Sequence, residues 1–189
     1  MIFTKWLNEC RYEQANDSVT IYAPDKTDFF CRLKGHGESV LNAPFLYVDV
    51  EGDFVLSAKV SVDFKNIYDS VCIMVMQDLQ TWGKICFEKT YYKTTAAVSV
   101  VTNQTSDDAN GPDVNSPYLW IKVARKGPRF AFHYSADGRV YYMLRLFYLP
   151  VAKAVKVGLL AQAPLGEGGR RCFEALKLEH KTVEDLHFI

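Results

Sequence analysis

The sequence carries no excess charge of either sign: 22 Lys and Arg stand against 22 Asp and Glu. A protein that grips phosphates needs a basic surplus to displace their counterions, so nucleic acid is not an expected partner. The polybasic signal of a membrane-surface protein is missing for the same reason. No apolar run approaches the ~20 residues that span a bilayer. The opening segment, Met1 to Cys10, lacks the apolar core of a secretory signal. The expectation is a soluble, cytoplasmic setting with no membrane contact. Cysteine is sparse and scattered, at positions 10, 31, 72, 86 and 172. An odd count without a CxxC pair argues against a disulfide framework and a structural zinc site. The histidines at 36, 133, 180 and 187 form no HxH or HExxH pattern. No GxSxG elbow and no glycine-rich phosphate loop occurs. No metal and no cofactor are therefore expected.

What is present is a strand pattern. Apolar residues make up 49% of the chain, enough to build one core in one domain over residues 1–189. Phe54, Leu56, Ala58, Val60, Val62 and Phe64 alternate with Ser57, Lys59, Ser61 and Asp63, a period of two with one face buried. Asp69 to Asp78 and Trp82 to Glu88 read as two strands around a tight connection. Further strands are expected at 19–22, 29–33, 45–50, 97–102, 118–125, 129–135, 140–148, 154–163 and 171–180. Asn103 to Pro117 reads as a polar loop, and Thr182 with Asp185 has the spacing of a capping pair on one helical turn. Cys72 lies in an apolar run, where a thiol behaves as a small hydrophobe. Many short strands with almost no helical periodicity predict an all-β protein, an antiparallel β-sandwich or jelly roll.

Strand parity then picks out the chemistry. Trp82, Lys84, Cys86 and Glu88 face one way, and Gly83, Ile85 and Phe87 the other. One face thus carries a ring, an ammonium and a carboxylate at ~6.5 Å intervals, a row that could stack on a flat ligand and hydrogen-bond its edges. An ordinary wet sheet face with a charge pair would look the same. Trp120, Tyr141 and Tyr142 are further platforms, and Asp69, Asp107, His133 and Arg145 are further polar partners. Glycosidases need paired carboxyls ~5–5.5 Å or ~6.5–9.5 Å apart. The row supplies only Glu88, so Asp69 or Asp107 would have to be its partner. Asp49, Glu51 and Asp53 are suitably spaced but surround Gly52 in what reads as a turn. A weak echo of a calcium loop from Ser106 ends in Pro117 where Glu is needed.

The order of short motifs resembles a known family. The motifs are Asn42-Ala-Pro-Phe45, Gly52-Asp-Phe54, Tyr68-Asp69, Trp82-Gly-Lys84, Glu88, Ser99-Val-Val-Thr102 with Ser106-Asp107, Trp120 to Arg125, Tyr134 to Gly138, Arg145 and Gly158 to Ala161. Over residues 20–180 they resemble the domain of unknown function 1349 (DUF1349), also labelled regulation-of-enolase protein 1-like. The resemblance implies the concanavalin A-like lectin/glucanase fold with one concave sheet. It also implies a polar cluster of Asp69, Trp82, Lys84, Glu88, Asp107 and Arg145 on that sheet. Ser70 stands where the family often has glutamine, and Tyr141 or Tyr142 where it usually has tryptophan. The expected function is binding of a sugar or oligosaccharide on the concave face, with Tyr141 and His133 as further contacts. The alternatives are a glycoside-processing enzyme using Glu88 and a second carboxylate, and a protein-binding regulator of a metabolic enzyme. Binding is favoured over catalysis because no known catalytic spacing is present.

Overall fold

The computed structural model describes residues 3–189. Met1 and Ile2, the start of the segment read above as lacking a signal core, lie outside the described residues. The strands in chain order are β1 (Lys5–Leu7), β2 (Tyr12–Ala15), β3 (Ser18–Ala23), β4 (Phe29–Phe30), β5 (Val40–Leu41), β6 (Phe45–Glu51), β7 (Phe54–Val62) and β8 (Ser70–Asp78). They continue as β9 (Thr81–Lys89), β10 (Thr95–Asn103), β11 (Thr105–Asp113), β12 (Tyr118–Lys126), β13 (Arg129–Ser135), β14 (Tyr142–Tyr148), β15 (Ala154–Gln162) and β16 (Gly169–Glu179). Among the described residues there is no helix.

Two seven-stranded antiparallel sheets face each other, as the strand pattern predicts. One runs β1-β6-β15-β8-β9-β10-β11, the other β14-β13-β12-β7-β16-β3-β2. The core between them is filled by the inward residues of alternating strands. Leu56, Ala58 and Val60 of β7 meet Val71, Ile73 and Val75 of β8 and Ile85 and Phe87 of β9 in one cluster. β8 and β9 are buried on both faces. Their outward residues Cys72, Met74, Met76, Trp82 and Cys86 form a second cluster under the short β4–β5 hairpin. This explains why β8 reads as a continuous apolar run rather than an alternating one.

Two expectations fail here. Residues 105–113 are not loop but β11, the edge of the first sheet, paired to β10 from Asn103↔Thr105 to Ala96↔Asp113. Ser, Asp and Asn suggest turns, yet polar side chains also suit an edge strand that must not recruit another chain. Gly111 belongs there because a Cβ would lie 2.8 Å from the Ala97 carbonyl oxygen and 2.3 Å from Leu144. Thr182 to Leu186 forms no helical turn. Thr182 donates instead to Asp53 Oδ2 at 2.8 Å, and the extended tail lays Val183 and Leu186 over Val55, Ala124 and Ala131 on the outer face of the second sheet.

Candidate functional site

The site begins with a strap across the outer face of the first sheet. Thr27 pairs with Ala163 at the end of β15, and the Cys31 N–H donates to Ser106 Oγ on β11 at 2.8 Å. Between those anchors the chain alternates. Phe29 and Cys31 turn down into the second cluster, while Asp28, Phe30 and Arg32 border an open groove. The groove has a volume of about 290 Å³. Val98 and Val100 of β10 and Lys84 and Glu88 of β9 line its floor, and Asp108, Gln162, Tyr68, Pro164 and Leu165 contribute to its walls.

Lys84 is the anchor of the floor and is only 2% exposed. Its Nζ donates to the Phe29 carbonyl and to Gln162 Oε1, both at 2.8 Å, and lies 3.7 Å from Asp28 Oδ1. Gln162 Nε2 closes the ring by donating to Asp28 Oδ1 at 3.0 Å. Burial is the strongest single influence and lowers the pKa of the ammonium, but the acidic groups around it, Asp28 first among them, together outweigh burial and hold Lys84 charged. Glu88 sits further along the same face. Burial pushes its carboxyl up to about 8, the Lys84 ammonium pulls the other way, and Asp28 and Asp108 add to the rise. At neutral pH it is a carboxylic acid, able to donate as well as accept.

Tyr68 is held with φ +67°, a strained setting for a bulky residue. Its N–H donates to the Lys89 carbonyl at 2.6 Å. The next residue, Asp69, fixes the loop by accepting from the Lys65 and Asn66 N–H groups at 2.8 and 2.9 Å, and it pairs with the fully buried Arg171 at 3.1 Å.

The structure brings together Lys84 and Glu88 of the residues chosen from sequence, and separates the others. Trp82 is no stacking platform. It shares the face of Lys84 but is 0% exposed, edge-on to Phe29 at 5.8 Å and donating from Nε1 to the Leu79 carbonyl. The strap covers it. Asp69 lies beneath the groove wall as a structural ion pair. Asp107 points to the other side of β11, where Arg145 Nη1 donates to its carbonyl at 3.2 Å and Nη2 lies 3.5 Å from its carboxylate. That contact ties β11 to β14 outside the groove, and strand parity puts the neighbouring Asp108 inside it. Tyr141 and His133 lie on the outer face of the second sheet. Lys122 Nζ is 3.5 Å from the Tyr141 ring centroid. Sequence reasoning misses Asp28, Phe30, Arg32, Tyr68, Asp108 and Gln162 of the groove, although the alternation of 28–32 and the Tyr68-Asp69 motif carry a signal for four of them.

His133 is 0% exposed, and neither ring nitrogen has a hydrogen-bond partner among the described residues. Burial lowers its pKa to about 4. The unfolded chain takes up this proton near pH 6.5 and the folded one near 4, so stability is full above 6.5 and falls as pH drops through that window. The expected loss is roughly 3 kcal/mol. Urea melts of wild type and His133→Leu between pH 4 and 7 check it: the variant lacks this slope.

A family model described as "Protein of unknown function (DUF1349)" matches residues 6–181. A functionally unknown protein from Saccharomyces cerevisiae is 26% identical with a TM-score of 0.87, covering 95% of this chain and 97% of that one. The carbohydrate-binding module CBM66 from Bacillus subtilis is 13% identical with a TM-score of 0.59, covering 94% and 97%. The xylan β-1,4-xylosidase from Bacillus halodurans C-125 is 8% identical with a TM-score of 0.70; 86% of this chain covers 33% of that enzyme. These neighbours share the jelly-roll sandwich. No curated protein matches the chain.

Proposed function

The chain belongs to the DUF1349 family of unknown function, and from that premise we propose that its concave groove binds a carbohydrate. The observation that carries this reading is the groove lining. Lys84, Asp28 and Gln162 are locked to one another, which leaves Asp108, Arg32 and the protonated Glu88 to meet a ligand, beside the apolar surfaces of Tyr68, Phe30 and Leu165. Mixed donors and acceptors beside apolar walls suit a ring that has hydroxyls on its edges and C–H groups on its faces. A volume of about 290 Å³ is at the lower edge of the ~300–1,000 Å³ of small-molecule sites, which suits one sugar unit. The likeness to a carbohydrate-binding module supports the same reading.

The high pKa of Glu88 also suits a general acid, so hydrolysis is the second reading. Strand register weighs against it. Asp108 stands opposite Val100, which stands opposite Lys84, four residues short of Glu88. Two strand spacings and four residues put the Glu88 and Asp108 Cα atoms ~17 Å apart, and Asp28, the other carboxylate of the groove, is engaged by Lys84 and Gln162.

Thermal shift of the purified protein against xylose, arabinose, glucose, galactose, mannose, fructose and their oligosaccharides tests the reading. A sugar at 100 times its Kd should stabilise by ~2.7 kcal/mol. The paired substitution Asp108→Ala and Arg32→Ala should remove that shift while leaving the unliganded Tm unchanged. A shift that survives both substitutions would place the sugar elsewhere, and the absence of any shift would turn the reading toward a protein ligand.

A further inference from the structure

The groove lies between the strap and the end of the sheet where β9 stops. The strap crosses from Ala163, at the Glu88 end, to Ser106, near Trp82; its Phe29 and Cys31 cover the end nearest Trp82, and Phe29 is buried against that indole. Tyr68, Pro164 and Leu165 line the other end, where β8 begins and where β9 and β15 stop. Just beyond it is the turn joining β9 to β10. This turn is firmly built: the Thr90 N–H donates to the Thr94 carbonyl at 2.8 Å, the Lys93 N–H to the Thr90 carbonyl at 2.9 Å, and Thr94 Oγ1 to Asp113 at 2.9 Å.

At its tip stand Tyr91 and Tyr92, 69% and 77% exposed, edge to face with ring centroids 6.1 Å apart. Neither ring belongs to any of the buried clusters. Leu165, 58% exposed, lies on the groove wall at the same end. Tyr91 is three residues past Glu88, so its Cα is no more than ~11 Å away. Folding does not account for two large aromatic rings held in water on a rigid turn beside an open groove.

We propose that the groove takes one unit of a chain-like carbohydrate, and that Tyr91 and Tyr92 stack on the units that follow it past Glu88. This rests on the carbohydrate reading above. A groove of one-unit volume leaves the neighbouring units of a chain outside it, and ring faces presented on a fixed turn offer stacking area at small entropic cost.

Calorimetric titration of the intact protein with each panel monosaccharide and its di-, tri- and tetrasaccharide tests this. The expected result is a Kd roughly tenfold lower for the tri- than for the monosaccharide, as two added aromatic contacts allow. In the double variant Tyr91→Ala, Tyr92→Ala the monosaccharide Kd should be unchanged and the gain with length lost. Both residues are exposed, so an unchanged Tm should show that the fold is intact. Monosaccharide binding with no gain from length, or a gain that persists in the double variant, overturns the extension and leaves the groove reading standing. No binding of any length by wild type overturns both.

Discussion

Arg171→Met is expected to destabilise the protein by about 3–5 kcal/mol, the cost of leaving one partner of a buried ion pair uncompensated. Arg171 and Asp69 are both 0% exposed. The guanidinium does more than neutralise. Its Nε lies 3.2 Å from the Ser70 and Gln162 carbonyls, Nη2 donates to the Gln162 carbonyl at 3.0 Å, and Nη1 to that of Arg170 at 3.2 Å. Removing it strands a carboxylate and several carbonyls together. Asp69 cannot swing to water, because its other oxygen holds the Lys65 and Asn66 N–H groups. The double variant Arg171→Met, Asp69→Asn should therefore lose less than the sum of its single substitutions, since the buried negative charge goes with its partner. Urea melts of the four proteins measure this. A loss under about 1 kcal/mol for Arg171→Met, or strict additivity, would contradict a desolvated pair. The same melts bear on the groove, because Tyr68 stands on the Asp69 loop and Gln162 on the Arg171 carbonyl contacts. Any fold that survives Arg171→Met should bind its sugar more weakly.

Much of this molecule is legible from alternation, and its limits are those of alternation. Period two places Trp82, Lys84 and Glu88 on one face correctly, because side-chain direction is a local property of a strand. It cannot tell whether that face is wet. Phe29 arrives from over fifty residues away to cover Trp82, and nothing near Trp82 announces it. The same rule separates Asp107 from Asp108 once 105–113 is known to be strand. Read as loop, the two are indistinguishable, and the one with a visible partner in Arg145 is the one outside the groove. Asp69 illustrates a different limit. Its motif marks an important carboxylate, but a buried ion pair and a ligand contact leave the same trace in a sequence. Only the position of Arg171, about a hundred residues later, decides between them.

Glu88→Gln should stabilise the protein increasingly as pH rises, by roughly 5 kcal/mol at pH 8 and above. The wild-type carboxyl loses its proton near 4.5 when unfolded but at about 8 when folded. A group raised in this way contributes its full stability below 4.5 and loses it as pH climbs to 8, at ~1.4 kcal/mol per unit. Glutamine has the shape and hydrogen-bonding range of the protonated acid and cannot ionise, so the variant lacks the slope. His133 contributes the opposite slope between about 4 and 6.5. In wild type the two should nearly cancel from pH 4.5 to 6.5, leaving a plateau that falls only above 6.5. Glu88→Gln should remove that fall and expose the His133 rise. The affinity of the groove gives an independent reading. A sugar oxygen that accepts from the Glu88 acid loses its donor above pH 8, so wild-type affinity should drop about tenfold per pH unit there. The glutamine variant should stay flat to pH 9. Superimposable stability and binding profiles for the two proteins would mean that Glu88 is ionised and solvated at neutral pH, and that the groove presents a carboxylate rather than an acid.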